Sequence, residues 1–119
     1  MNFYLEQIEK FDESIKSAND IAIFTHVSPD GDTLGASLAI FKVIQEYYKK
    51  NVTVFISDKI PKVYDFLPYI NCYKRTDDLQ YENKIFDLAI AVDIATIERM
   101  GKGFSLFTKS KFKINIDHH

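Results

Sequence analysis

The segment FDLAIAVD at residues 86–93 is apolar on both faces of a strand, so a sheet that contains it must be covered on both sides. Two more short apolar runs rich in branched residues, IAIFT at 21–25 and VTVFI at 52–56, predict further buried strands. A fourth strand is predicted at 111–117, where the sequence reads KFKINID. These strands favour a parallel sheet enclosed between layers of helices.

Helical patterns separate the strands. Residues 3–18 carry apolar side chains at spacings near three and four, and residues 32–50 repeat the pattern and end in lysines. The segment 58–70 contains two prolines and predicts little more than one helical turn. The segment 76–84 predicts a polar connector with one more turn, and 96–110 predicts short helical pieces. The apolar positions of the two main helices are Phe3, Leu5, Ile8, Phe11 and Ile15, then Leu34, Leu38, Phe41 and Ile44. We therefore expect a three-layer α/β fold with a mainly parallel sheet flanked by helices.

Composition narrows the class of protein. The chain has 119 residues, which corresponds to one domain, and its net charge of −2 includes no basic tract that would suit a long nucleic-acid duplex. The single cysteine, Cys72, excludes a disulfide framework and a thiolate metal site. The N-terminal residues lack the apolar core of a signal peptide, and no run approaches the roughly 20 apolar residues that cross a membrane. These features predict a cytoplasmic protein with no membrane partner.

Polar residues follow three of the predicted strands. In chain order they are His26, Asp30 and Asp32, then Asp93, then Asp117, His118 and His119. Because the carboxyl ends of parallel strands meet at one edge of a sheet, we expect these side chains to converge there. Four carboxylates gathered at one edge require a compensating charge, which divalent cations supply. Oxygen and imidazole ligands without thiols suit Mn²⁺ or Mg²⁺, with Fe²⁺ and Co²⁺ as further options.

The spacing of HVSPDGD at 26–32, Asp93 and the terminal DHH at 117–119 resembles the DHH phosphoesterase superfamily, over the chain from about Ile21 to His119. The resemblance implies two Mn²⁺ ions with Asp93 as the bridging ligand. The implied ligands of one ion are His26, Asp30 and Asp93, and those of the other are Asp32, Asp93 and His118. The resemblance also implies two catalytic residues that are not metal ligands. His119 would face the substrate phosphate, and Asp117 would support the metal ligands without binding a metal ion.

The first motif resembles one branch of this superfamily more than the others. PDGDTLGAS is most similar to the oligoribonuclease (nanoRNase) and pAp-phosphatase branch. In RecJ-like proteins the first motif resembles Asp-x-Asp-x-Asp, with no histidine at the position of His26. Family II pyrophosphatases carry Pro-Asp-Thr-Asp, with threonine where this chain has Gly31. Ala36 departs from the pattern of this branch, in which a serine is common directly after the glycine that corresponds to Gly35. The implied substrates are short oligoribonucleotides or small nucleotides such as 3′-phosphoadenosine 5′-phosphate.

Several alternatives stay open at this point. The chain could be a family II inorganic pyrophosphatase, a cyclic-dinucleotide phosphodiesterase, or a binding module that holds metal or nucleotide without turnover. A purely structural α/β domain is a further class, in which Asp32 acts only as a helix N-cap and the final histidines are a frayed terminus or the start of a tag. The lysine-rich strand before these histidines disfavours a tag. The sequence leaves the oligomeric state open, including a homodimer.

Members of the superfamily continue beyond the DHH motif with more of the same domain and a smaller substrate-binding domain. On this resemblance, residues 1–119 are expected to form the N-terminal part of a DHH phosphoesterase domain. We expect the isolated chain to bind one metal ion at best, to hold the second weakly, and to be weakly active or inactive.

Overall fold

The computed structural model of the protein describes residues 3–25, 31–57, 59–92, 94 and 100–116. Three α-helices and five strands lie within these ranges. The helices are α1 (Phe3–Ser17), α2 (Gly31–Lys42) and α3 (Gly103–Lys109). The strands are β1 (Asp20–Phe24), β2 (Asn51–Ile56), β3 (Lys74–Arg75), β4 (Leu88–Val92) and β5 (Phe112–Ile116).

The five strands form one sheet in the order β3-β2-β1-β4-β5, and every neighbouring pair is parallel. This arrangement confirms the predicted α/β fold. All four predicted strands are present, with ends that differ from the predicted ones by at most two residues. The sequence did not predict β3, because a strand of two residues is too short to show an alternating pattern.

The core lies in two layers, one on each face of the sheet. Alternate residues of each central strand point to opposite faces, as in any pleated strand. The cluster on the side of α1 contains Ile15, Ala18, Ile21, Ile23, Phe41, Ile44, Val54, Leu88, Ile90 and Val92. The cluster on the side of α3 contains Ala22, Phe24, Phe55, Phe86, Ala89, Ala91, Ile94, Met100, Leu106 and Phe107. Both faces of β4 are therefore buried, as its apolar sequence predicts.

The amphipathic pattern of α1 holds only in its second half. Ile15 is fully buried and Phe11 packs against the cluster on its side of the sheet. Leu5 and Ile8, which were expected on the same face, are 52% and 50% exposed. The difference arises because the half of α1 that leads into β1 is the half that packs on the core.

Helix α2 buries the predicted positions Leu34, Leu38 and Phe41. It begins at Gly31, so Asp32 lies inside the first turn and is not the N-cap that the structural alternative required. A carboxylate in the first turn is still favourable, because it faces the positive end of the helix dipole. The helix continues into a π-helical turn at Val43–Tyr47, which the sequence did not predict.

The remaining connections contain short helical turns. Two 3₁₀ turns, Lys62–Tyr64 and Ile70–Cys72, lie between β2 and β3, and a third occupies Leu79–Tyr81. The turns Lys62–Tyr64 and Leu79–Tyr81 agree with the short turns predicted within 58–70 and 76–84, whereas the turn Ile70–Cys72 was not predicted. Among the described residues there is no helix with the length and apolar character needed to cross a bilayer.

Candidate functional site

Three adjacent strands end at the same edge of the sheet. The register pairs Phe24 of β1 with Ala91 of β4, and Val92 of β4 with Ile116 of β5. In the sequence, each of these strands runs into one of the polar motifs within two residues of its end. The described strand ends therefore converge as predicted.

Of the seven predicted site residues, only Asp32 belongs to the part of the chain that the structure describes. Its side chain is exposed in the first turn of α2. The other six lie outside the described residues: His26, Asp30, Asp93, Asp117, His118 and His119. Within the described ranges, His, Cys, Asp and Glu form no group of three or more that could hold a metal ion.

A hydrogen bond at the end of β1 ties the strand to its neighbour. Thr25 is buried, and its Oγ1 donates to the backbone carbonyl of Phe55 in β2 over 3.2 Å. This bond satisfies a hydroxyl that would otherwise be buried without a partner. Thr25 thus fixes the backbone directly before His26 in the sequence, and its hydroxyl is used within the fold.

The start of α2 is packed closely by an aromatic ring. A Cβ added to Gly31 would lie 3.2 Å from Cε1 and 3.6 Å from the hydroxyl oxygen of Tyr64. Tyr64 ends the 3₁₀ turn Lys62–Tyr64, which lies in the segment 58–70 where one helical turn was predicted. A side chain at residue 31 would therefore require the ring of Tyr64 to shift by a few tenths of an ångström.

Two polar contacts hold the connection that follows β4. The side-chain amide Nδ2 of Asn115 in β5 donates to the carbonyl of Ile94 over 3.1 Å. At the other end of this connection, Oγ of Ser57 donates to the carbonyl of Met100 over 3.0 Å. Ile94 and Met100 are each 1% exposed, so their side chains are anchored in the core as well.

The model of the DHH family, N-terminal domain, matches residues 20–119. The chain belongs to the DHH family. This family consists of metal-dependent phosphoesterases, and carboxylate and imidazole groups are ligands that divalent cations accept. Within the DHH domain, the strand ends described above precede each of the three motifs.

The DHH domain also resembles a solved structure. The crystal structure of an exopolyphosphatase-related protein from Bacteroides fragilis superposes with a TM-score of 0.85 at 26% sequence identity. The match covers 97% of this chain and 35% of that chain. The DHH domain described here therefore spans about a third of the length of this relative.

Two lysines of the DHH domain that could have approached a phosphate have other partners. Lys102 lies 3.6 Å from Asp77, and Lys109 donates to the carbonyl of Glu82 over 2.9 Å. Asp77 also accepts from Arg75, and this bond, more than the charge of Lys102, holds the pKa of the Asp77 carboxyl below its usual value.

Sequence reasoning missed the neutral residues that support this edge of the DHH domain: Ser57, Tyr64, Thr76 and Asn115. Asn115 offered one signal, since it is a neutral polar residue within the strand KFKINID. The other three lie after strands or in turns, where polar and aromatic residues are common. Their contacts depend on segments distant in sequence, so no local pattern indicates them.

Proposed function

We propose that this chain is part of a two-metal, Mn²⁺-dependent phosphoesterase that hydrolyses short oligoribonucleotides, 3′-phosphoadenosine 5′-phosphate, or both. The observation that carries the proposal is the convergence of β1, β4 and β5 at one sheet edge in a chain of the DHH family. Each of these strands leads directly into carboxylates or histidines in the sequence. Mg²⁺ is the alternative cation for the same oxygen-rich ligands.

In this proposal the ligands are divided between two ions that share Asp93. His26 and Asp30 complete the protein ligands of one ion, and Asp32 and His118 those of the other. When bound, Mn²⁺ supplies Lewis acidity, which lowers the pKa of water and offsets negative charge on the phosphate. His119 donates a hydrogen bond to a non-bridging phosphate oxygen, most effectively when the imidazole is protonated. Asp117 supports the metal ligands without binding a metal ion.

The close contact between Gly31 and Tyr64 supports the oligoribonuclease and pAp-phosphatase branch over family II pyrophosphatases. Those pyrophosphatases resemble this chain but carry threonine at the position of Gly31. A threonine side chain here would meet the ring of Tyr64 at a distance tighter than ordinary van der Waals contact. Glycine is thus the residue that position 31 accommodates without a shift of the Tyr64 ring.

A second candidate substrate is a phosphoanhydride chain such as inorganic polyphosphate. It is favoured by the match to the exopolyphosphatase-related protein, which is 26% identical to this chain. The same two ions would serve either reaction, because phosphoester and phosphoanhydride hydrolysis both place negative charge on non-bridging oxygens. Substrate choice therefore has to be measured.

The experiment is a Mn²⁺-dependent turnover screen with dinucleotides, 3′-phosphoadenosine 5′-phosphate, pyrophosphate, polyphosphate and cyclic di-AMP. Slow release of mononucleotides or of phosphate from the first two substrates is the expected result, in line with the weak activity expected of residues 1–119. Asp93→Asn should abolish this turnover, whereas Glu9→Gln on the exposed side of α1 should leave it unchanged. Hydrolysis of pyrophosphate alone would contradict the branch. Mn²⁺ binding without any turnover would favour a binding module, and no Mn²⁺ binding would favour a structural domain.

A further inference from the structure

Strand β5 lies at one end of the sheet and presents an open edge. It pairs with β4 on one side, and on the other side no described residue pairs with it. The N–H of Phe112 donates to the carbonyl of Asp87, just before β4, over 3.1 Å. Because successive residues of a strand direct their backbone groups to opposite edges, the N–H and C=O groups of Lys113 and Asn115 point away from β4. Such a row of open backbone groups is able to pair with another strand.

One face of β5 carries an apolar stripe that the described part of the fold covers only in part. Phe112, Ile114 and Ile116 alternate along the strand and share the face on the side of α1. Ile114 and Ile116 are partly buried against the cluster on that side, whereas Phe112 is 73% exposed. Helix α1 leaves the ring uncovered, since an open cavity of about 600 Å³ is lined by Phe112 and by residues of α1 such as Ser14. Apolar side chains exposed beside an unpaired edge favour association.

The sequence of β5 suits antiparallel pairing with a second copy of itself. In a two-fold arrangement centred on Ile114, Phe112 lies opposite the partner's Ile116, and Ile114 lies opposite the partner's Ile114. Lys113 then lies opposite the partner's Asn115, and these are the residues whose backbone groups point outward, so they exchange both hydrogen bonds of an antiparallel pair. Apolar groups meet on one face, and a lysine meets a neutral amide on the other.

The other two-fold registers of β5 are less favourable. A register centred on Lys113 places two lysines directly opposite each other, where like charges are destabilising. A register centred on Asn115 leaves Phe112 with no opposite residue within the strand. The register centred on Ile114 is the one that pairs every residue of Phe112–Ile116 with a residue of the same strand in the second copy.

From these observations we propose that the protein forms a two-fold dimer in which β5 pairs antiparallel with β5 of a second copy. The pairing joins two sheets of five described strands into one continuous sheet. Antiparallel pairing directs the carboxyl ends of the two sets of strands in opposite directions, so the two candidate sites face away from each other. The inference is independent of the proposed function, because it involves neither a metal ion nor a substrate.

The first test is the mass of the protein in solution, measured by sedimentation equilibrium, in which the mass of two chains is expected as the concentration rises toward about 1 mM. Lys113→Pro removes an N–H that β4 does not use, and proline is tolerated at such a position of an edge strand. It should weaken dimerisation by at least about 10-fold, because the lost hydrogen bond occurs twice in a two-fold interface. Lys113→Ala is the matched control, since it keeps the N–H and should leave dimerisation unchanged.

Phe112→Lys tests the apolar stripe even if Lys113→Pro does not fold. Because the Phe112 side chain is 73% exposed, its replacement leaves the core intact. It should weaken dimerisation by at least about 10-fold, since an apolar cross-strand contact is lost twice. Phe66→Lys is the matched control, because Phe66 is 77% exposed and lies in the connection between β2 and β3. This control should leave dimerisation unchanged.

Disulfide formation tests the register. In a Cys72→Ser background, Ile114→Cys places two thiols directly opposite each other in a pair without backbone hydrogen bonds, with Cα atoms about 4.5 Å apart and within reach of a disulfide. Lys113→Cys is the control, since two residues at 113 are displaced along the strands and lie beyond the limit of roughly 7 Å for a disulfide. Oxidation should link two chains of Ile114→Cys and should not link those of Lys113→Cys.

The mass of a single chain at every concentration up to about 1 mM would overturn the proposal. Dimerisation that both Lys113→Pro and Phe112→Lys leave unchanged would also overturn it, because the interface would then lie elsewhere. Disulfide formation through residue 113 in place of residue 114 would overturn the register. None of these measurements involves metal or turnover, so their failure is distinct from failure of the proposed function.

Discussion

Gly31 lies against the ring of Tyr64, with Cε1 of that ring 3.2 Å from the place where a Cβ of residue 31 would stand. The glycine belongs to the first motif, and the tyrosine to the segment 58–70, for which the sequence predicted little more than one helical turn. Gly31 lies between Asp30 and Asp32 in the sequence, so this contact joins the start of α2 to a distant turn.

A double-mutant cycle tests this contact. Gly31→Ala should be more favourable in a Tyr64→Ala background than in the unmodified protein, by about 0.5–1 kcal/mol, because the truncated side chain no longer meets the new methyl group. The free energies of unfolding of the four proteins, from urea titrations, give the coupling. Gly35→Ala is the control, since no atom lies within 4 Å of its added Cβ, and it should stabilise α2 by about 0.5–1 kcal/mol. A coupling indistinguishable from zero would show that Tyr64 does not restrict residue 31.

The bridging role of Asp93 predicts unequal effects of two aspartate substitutions. Asp93→Asn should weaken Mn²⁺ binding by at least about 100-fold, because it removes negative charge from both ions. Asp117→Asn should weaken it by only about 10-fold, since this residue is assigned to a supporting role. Titration calorimetry with Mn²⁺ measures both. Comparable affinities in the two variants would argue against the bridge.

Asp87 joins the starts of β1 and β4 and should make stability depend on acid pH. One of its oxygens accepts from the backbone N–H groups of Asn19 and Asp20, each over 3.0 Å. These two bonds, followed by the nearby Lys111, hold the pKa of the Asp87 carboxyl below the usual 3.8. A lowered pKa in the folded state means that the stabilisation is fully present above the unfolded value and is lost as the pH falls through the folded value.

We therefore expect Asp87→Ala to cost about 1–2 kcal/mol at about pH 7 and much less at about pH 2–3. Chemical unfolding at the two pH values gives both numbers. Asp65→Ala, at an exposed position, serves as the control. An equal cost of Asp87→Ala at both pH values would mean that the charge of Asp87 does not matter.

Tyr73 should make stability depend on alkaline pH. Its hydroxyl donates to the carbonyl of Leu34 over 3.3 Å and lies 2.5 Å from the hydroxyl of the buried Ser37. Burial raises the pKa of Tyr73 to about 12, although the bond with Ser37 lowers it in part. Because the pKa is raised on folding, the stabilisation is complete below the unfolded value of 10.0 and is lost as the pH rises toward about 12.

Tyr73→Phe should therefore cost about 1 kcal/mol at about pH 8, and this cost should shrink above about pH 11. Urea unfolding at both pH values measures the change, and the ultraviolet absorbance of phenolate follows the ionisation directly. The pKa of Tyr48 is raised to about 12, mainly by its bond with Asp12, so this tyrosine should still ionise near that pH in the variant. A cost that stays constant across this range would contradict the assignment.

Much of the fold could be predicted from the sequence because its signals are local. The run LAIAV at 88–92 is apolar on both faces, and such a strand has to lie between two layers. The helical spacing of Leu34, Leu38 and Phe41 likewise determined which side of α2 is buried. The family could also be predicted from the sequence, because its motifs are short and follow directly after strands. The match to the family model confirms it.

Tertiary structure alone decided the order of the strands and the contacts that cross between them. The placement of β1 between β2 and β4 is a choice among several pairings that the sequence patterns allow equally. It brings Asn115 to the Ile94 carbonyl and Tyr64 to Gly31, pairs that are 21 and 33 residues apart. The periodicity of a strand or helix reports only which face is buried, because it depends on neighbours within a few residues. Which distant group meets that face is determined when the whole sheet packs.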